Sequence, residues 1–157
     1  MKYLGLVIAC FLLFSCKNYK NVKGDSVHEI SAVTMSRTPC FGFCPIYTLS
    51  IEKDGKATLD AKNHLKNKLQ GKYIASVSPK ELHTVFKMLQ DMKFSSLEDS
   101  YGSRNVTDLP SVNTAVVYEG GASKKINDYG NRGTPELSTF YAHMDELLYR
   151  LKWEPLK

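Results

Sequence analysis

The sequence predicts an α+β fold, a two-layer sandwich in which an antiparallel sheet of about five or six strands carries two helices on one face. Three observations predict it. Apolar and polar residues alternate along several short segments, the period-two signature of half-buried strands. Asp54-Gly55 and Gly120-Gly121 sit between neighbouring segments of this kind, where antiparallel hairpins turn. Two longer segments instead repeat apolar residues at helical spacing, so each has one face to bury.

The elements follow in order. Residues 28–35 form a first strand, with Ile30 and Ala32 alternating against Glu29 and Ser31. Ile46–Glu52 alternates more clearly, Tyr47, Leu49 and Ile51 against Thr48 and Ser50. An Asp-Gly two-residue turn leads to a third strand through Ala57, Leu59 and Ala61. A weaker fourth lies within 68–77. Ser78-Pro79-Lys80-Glu81 then opens a helix: serine can cap, proline suits the first turn, and glutamate three residues on can close a capping box. Leu82, Val85, Phe86, Leu89 and Met92 form its stripe to about residue 93, and Val85, Phe86 and Leu89 are expected to be buried. Phe94 and Leu97 tuck under the domain. Gly, Ser, Asn, Asp and Pro crowd 101–110, a loop. A second hairpin joins 112–118 to 123–129 through Gly120-Gly121. Thr134-Pro135-Glu136 repeats the cap-and-proline opening, and Phe140, Tyr141, Met144, Leu148 and Leu151 belong to a strong stripe over 135–151.

The N-terminus is of another kind. Met1-Lys2 precedes an apolar run of about a dozen residues, the layout of a secretory signal and too short to span a bilayer, which takes roughly 20. Leu13-Phe14-Ser15-Cys16 resembles the bacterial lipobox, in which the cysteine is acylated and becomes the new first residue. Val7-Ile8-Ala9-Cys10 fits the box pattern itself rather better, but cleavage there would leave only a stub of the apolar run and put Phe11-Leu-Leu-Phe14 at the start of the mature chain. The expected organisation is therefore a lipoprotein signal peptide over 1–15, lipidated Cys16 with a flexible tether over 16–26, and one α+β domain over 27–153. The expected membrane partner is reached through the lipid. Lys17 follows the cysteine where aspartate would favour inner-membrane retention in familiar Gram-negative systems, so the outer membrane is preferred.

Composition narrows the function classes. Removing 15 of 157 residues leaves enough chain for one domain with a core and too little for two. A net charge of +5 without a dense basic stripe makes no nucleic-acid footprint. Of four cysteines, Cys10 leaves with the signal and Cys16 takes lipid. Cys40 and Cys44 remain as an even pair in an oxidising compartment, and a disulfide between them is the natural expectation.

Those two lie in the least average stretch, Arg37-Thr38-Pro39-Cys40-Phe41-Gly42-Phe43-Cys44-Pro45-Ile46-Tyr47. Each proline disfavours helix at the residue before it. A disulfide brings Cα atoms to about 4.4–6.8 Å, so the segment must curl, and Gly42 permits the positive φ a curl can need. The result is a small closed loop presenting Phe41 and Phe43. With Leu49, Ile51 and Asp54-Gly55 behind it, this run resembles the signature of an uncharacterised family of bacterial lipoproteins, domain of unknown function 6438. Phe94 and Leu97 before Tyr101, Asp108-Leu109-Pro110, and Asp128-Tyr129 before the Pro135 helix extend the likeness over about 28–152. It implies an exported domain and carries over no activity, ligand or catalytic residue.

Three roles compete for the loop. In the preferred one the disulfide is structural, and Arg37, Phe41, Gly42, Phe43, Pro45 and Tyr47 form an interaction loop for an envelope protein partner. In the second, Cys40 and Cys44 bind copper, since soft thiolates suit Cu(I); the chain lacks the βαβ scaffold of copper-delivery proteins, and His28, His64, His83 and His143 form no ligand-like cluster. In the third the pair is a thiol-redox centre, which usually wants Cys-x-x-Cys at a helix start. No nucleophile elbow, phosphate loop or fixed carboxylate pair occurs, so no catalytic residue and no cofactor are assigned. The expected function is a lipid-anchored, non-catalytic binding module of the cell envelope, with a copper or thiol-redox accessory protein as the alternative.

Overall fold

The computed structural model describes residues 29–103 and 105–156. The expected signal peptide over 1–15 and the expected lipidated Cys16 and tether over 16–26 lie outside them. The elements are β1 (Ile30–Arg37), β2 (Ile46–Glu52), β3 (Lys56–Asn63), β4 (Gly71–Ser76), α1 (Pro79–Asp91), a 3-10 turn (Phe94–Ser96), β5 (Ser100–Tyr101), β6 (Ser111–Tyr118), β7 (Ser123–Tyr129), α2 (Pro135–Arg150) and β8 (Glu154–Pro155). The protein is α+β, with an open sheet in the order β5-β7-β6-β1-β2-β3-β4-β8.

That sheet has eight strands, not five or six. The additional ones are β5 and β8, each two residues long. A two-residue strand contains no repeat, so alternation cannot reveal it. β5 pairs parallel to β7, and β8 antiparallel to β4 through Tyr73 and Ile74. Every other pairing is antiparallel.

Register shows why alternation was informative in β2 and β3; in β1 an irregularity between Ile30 and Ala32 moves the buried face from Ala32 to Val33 and Met35. Val33 lies opposite Ile51 and Val116, Leu49 opposite Met35 and Leu59, and all of these are buried. Thr34, Ser50 and Thr58, the intervening positions, are only partly covered, and Thr34 and Ser50 share a hydroxyl hydrogen bond of 2.9 Å on that other face. A one-residue slip would exchange the two sets, so burial holds the register. The β2–β3 connection is three residues, Lys53-Asp54-Gly55, rather than two, with Gly55 at φ +84° and its N–H donating to Glu52 at 2.9 Å. A left-handed glycine closing a three-residue hairpin is the next commonest solution after the two-residue turn.

Both helices begin at their predicted caps. The Ser78 hydroxyl accepts from the Glu81 N–H at 3.3 Å and that of Thr134 from the Leu137 N–H at 3.2 Å. The reciprocal half of the capping box is not made. The Glu81 carboxylate instead reaches α2, 2.9 Å from both Arg150 Nη2 and His143 Nε2. Val85 and Leu89 of α1 and Phe140, Met144 and Leu148 of α2 share one core with the sheet. Phe86 is only partly buried, contrary to expectation, and lies against the edge of that core. Phe94 is buried, and Leu97 packs on the core from its border.

Candidate functional site

Antiparallel pairing puts the connections 38–45, 64–70, 102–110 and 130–134 at one end of the sheet. The cysteine loop, 38–45, stands in the middle of this row. Cys40 and Cys44 are bonded to each other, with Cα atoms 5.8 Å apart. Gly42 has φ +144° and donates to the Cys40 carbonyl at 2.9 Å, an i to i+2 contact that tightens the curl. Among the described residues no three His, Cys, Asp or Glu side chains are grouped to hold a metal ion.

The two phenylalanines point outward. Phe41 is 91% exposed and Phe43 88%. Water-exposed aromatics of that size forgo roughly 1.5–3 kcal/mol each relative to burial. They are not on a loose segment, because both flanks are tied. On one side the Thr38 N–H donates to the Ser111 carbonyl at 3.1 Å, the Ser111 N–H donates to the Thr38 hydroxyl at 2.7 Å, and the Phe41 N–H donates to the Asp108 carbonyl at 3.3 Å. The 102–110 connection is fastened in turn by Tyr129, whose hydroxyl donates to the Val106 carbonyl at 2.7 Å and accepts from the Leu109 N–H at 3.2 Å. On the other side the Phe43 ring meets His64 edge to face, with centroids 5.2 Å apart.

Below the loop, Arg37 and Tyr47 are register partners where β1 and β2 meet it. Both bind one carboxylate on α2. Arg37 donates through Nε to Asp145 Oδ1 at 3.0 Å and through Nη2 to Oδ2 at 2.6 Å, while the Tyr47 hydroxyl donates to Oδ1. This forked pairing is the strong geometry for a guanidinium and a carboxylate. Burial alone would lower the Arg37 pKa, but the hydrogen bond and charge of Asp145 outweigh it, and the net shift is upward. Burial, then the Asp145 charge, pushes the Tyr47 phenol far above its ordinary range. Arg37 is a charge-matched partner of Asp145, and Tyr47 is a neutral hydroxyl donor to it.

The six residues predicted for the loop thus divide. Phe41, Gly42 and Phe43 are exposed at the tip, and Pro45 is half-buried at its foot. Arg37 and Tyr47 lie in the strands beneath, with Tyr47 buried. Those two brace the foot of the loop through Asp145. Asp145 was missed. Its only signal was an acid within the apolar stripe of α2, one position after Met144 and four after Tyr141, both of which are buried. Nearby, buried Asp128 accepts from the Arg132 N–H at 2.7 Å and the Gly133 N–H at 3.1 Å, tying the turn into α2. Grooves lie elsewhere, one bordered by Lys56, Glu81, Arg150 and Glu154 and one by Lys53, Phe86 and Lys87.

A family model described as a domain of unknown function, DUF6438, matches residues 31–148. The chain belongs to that family. The matched span begins in β1 and ends in α2, so it holds the cysteine loop, its Arg37–Tyr47 base and Asp145 in one unit. No curated protein matches the chain.

Proposed function

We propose that this family member is a lipid-anchored cell-envelope protein that works as a non-catalytic interaction module, presenting Phe41 and Phe43 to an envelope protein. The observation that carries the reading is the pairing of full exposure with rigid mounting. Two phenylalanines about nine-tenths exposed sit on a disulfide-closed loop whose base is pinned to Asp145. A pre-organised aromatic loses little freedom on binding, which is why such residues dominate interface energetics. The polar groups beneath the loop are already paired with Asp145, so they serve to hold it in place.

The rest of the proposal is architectural. Residues 1–15 are the signal peptide, Cys16 carries the lipid, 16–26 form the tether and 27–153 the domain, with the outer membrane as destination because Lys17 follows the cysteine. Within the domain, α1 and α2 cover the one apolar sheet face as the second layer. That arrangement is supported by the single core their buried residues share with the inward strand positions.

Two measurements test this. In cells fed a labelled lipid precursor, the protein takes up label and Cys16→Ala does not; a labelled Cys16→Ala variant ends the anchor assignment. Alkylation of the native mature protein, followed by mass spectrometry with and without reductant, finds Cys40 and Cys44 blocked until reduction. Free thiols carrying Cu(I) would replace the interaction reading with the copper alternative.

A further inference from the structure

The interaction reading leaves open which way the loop faces and what it meets, and the following rests on that reading. β1 enters the sheet at Ile30 and delivers the chain to the cysteine loop at Arg37. Eight residues of strand separate the two points by about 23 Å. The tether therefore joins the domain at one end of the sheet, and Phe41 and Phe43 stand at the other. Anchored through residues that precede β1, the domain is joined to its lipid at the end of the sheet opposite the aromatic tip.

The two ends also differ in charge. Among the described residues, the four connections at the cysteine-loop end carry Lys66, Lys68 and Arg132 against Asp108, a balance of +2. The hairpin turns at the other end, 53–55 and 119–122, carry Lys53 against Asp54 and Glu119, a balance of −1, and Lys53 is already paired with Glu119. Lys66, Lys68 and Arg132 are exposed. The rim around the tip is also built from unusual backbone. Four of the five described non-glycine residues with positive φ, namely His64, Lys68, Asp108 and Asn131, lie in these connections. Side chains in the left-handed region carry conformational strain, and its concentration at one end of a fold is the pattern of a functional surface.

From this juxtaposition we infer that the cysteine-loop end is the docking face for an acidic protein surface with an apolar recess. The recess takes Phe43 and Phe41, and carboxylates of the partner face Lys66, Lys68 and Arg132. The partner meets the end of the domain opposite the point where the tether attaches. Aromatic anchors supply the affinity, and the cationic rim supplies rate and selection.

The test uses the full-length protein in living cells, with the photoreactive amino acid p-benzoylphenylalanine in place of Phe43. The same substitution at exposed Lys125, on β7, is the control. The expected result is a discrete adduct from position 43 alone, whose crosslinked peptide carries an excess of Asp and Glu. Lys66→Glu with Lys68→Glu, checked for native folding by near-ultraviolet circular dichroism, should lower its yield about tenfold. A protein adduct whose yield is unchanged or raised by the reversal overturns the acidic-partner inference while leaving the interaction module standing. Label in phospholipid, or retention of the mature domain by vesicles of anionic lipid through Phe43, overturns it in favour of a bilayer. An adduct with a second copy of this chain overturns it in favour of self-association. No adduct at 43 beyond the Lys125 control overturns both this inference and the interaction reading beneath it.

Discussion

β2 has a connection at each end, and the two solve the same geometric problem differently. Toward β3 the chain reverses in three residues, with one left-handed glycine and nothing apolar displayed. Toward β1 it takes the eight residues 38–45, closes them with a disulfide, and exposes two phenylalanines. Two-residue hairpin turns suffice to reverse an antiparallel strand, so the longer route is not needed for the fold. Reversal alone selects a turn that hides nothing because it holds nothing. The longer route carries its exposed phenylalanines between a cross-link above and the Arg37–Tyr47–Asp145 contacts below.

Predictions can break that contrast or sharpen it, and the largest concerns what the two connections share. Both rest on one core, in which Phe140 is fully buried. Phe140→Ala should cost about 3–5 kcal/mol in denaturant unfolding and weaken both ends of β2 alike. A loss below about 1 kcal/mol would mean that this helix face does not cover the core. Asp145→Ala should separate the ends. It leaves the Arg37 guanidinium and the Tyr47 hydroxyl without their acceptor, at about 2–3 kcal/mol. Amide exchange should then quicken across 38–47 and stay unchanged at 53–55; equal quickening at both sites would contradict a dedicated support.

Reducing the disulfide should matter less. So short a ring constrains the unfolded chain little, and the entropy model gives about 2 kcal/mol. The loop should disorder while the domain stays folded, visible as lost Phe43–His64 contacts with an unchanged far-ultraviolet spectrum. Glycine replacements come next. At Gly55 an added Cβ would meet the Val77 carbonyl oxygen at 2.8 Å, whereas Gly42 has open space around it. Gly55→Ala should therefore cost about 1–2 kcal/mol and Gly42→Ala about 1 or less, from backbone strain alone. Thermal unfolding of the pair checks the order.

The smallest effect near neutrality is electrostatic. The Tyr47 phenol is raised in the folded state by burial and by the Asp145 charge. Its neutral form is the one folding favours, so its contribution is intact below the unfolded-state pKa of about 10 and is lost as pH rises beyond it. Stability should be flat from neutral pH to about 9 and then fall, with a shallower fall for Tyr47→Phe. An identical alkaline slope in the variant would remove Tyr47 from the account.

Much of this architecture is written locally. β2, β3 and both helices follow from alternation, helical stripes and cap residues, because each signal involves neighbours within a turn or a pleat. The cysteine pair is legible for the same reason, lying four residues apart. What escaped was non-local. Glu81 looked like the closing half of a capping box, yet its carboxylate goes to Arg150, 69 residues on. β5 and β8 exist only because a neighbouring strand offers an open edge. Phe86 kept helical spacing but fell at the border of the core.

The candidate site divides along the same line. Sequence alone determined that a proline-bracketed pair of cysteines would curl a short segment around Gly42 and display phenylalanines between two strands, because ring closure and φ preferences act within a few residues. Only the tertiary structure decided that Arg37 and Tyr47 belong to the foundation rather than the surface. Their common partner Asp145 is 108 and 98 residues away, and no local preference can say which acid a helix will bring to a strand end. That choice is made by the packing of α2 across the core, where an ion pair persists because its forked hydrogen bonds offset the water both partners give up.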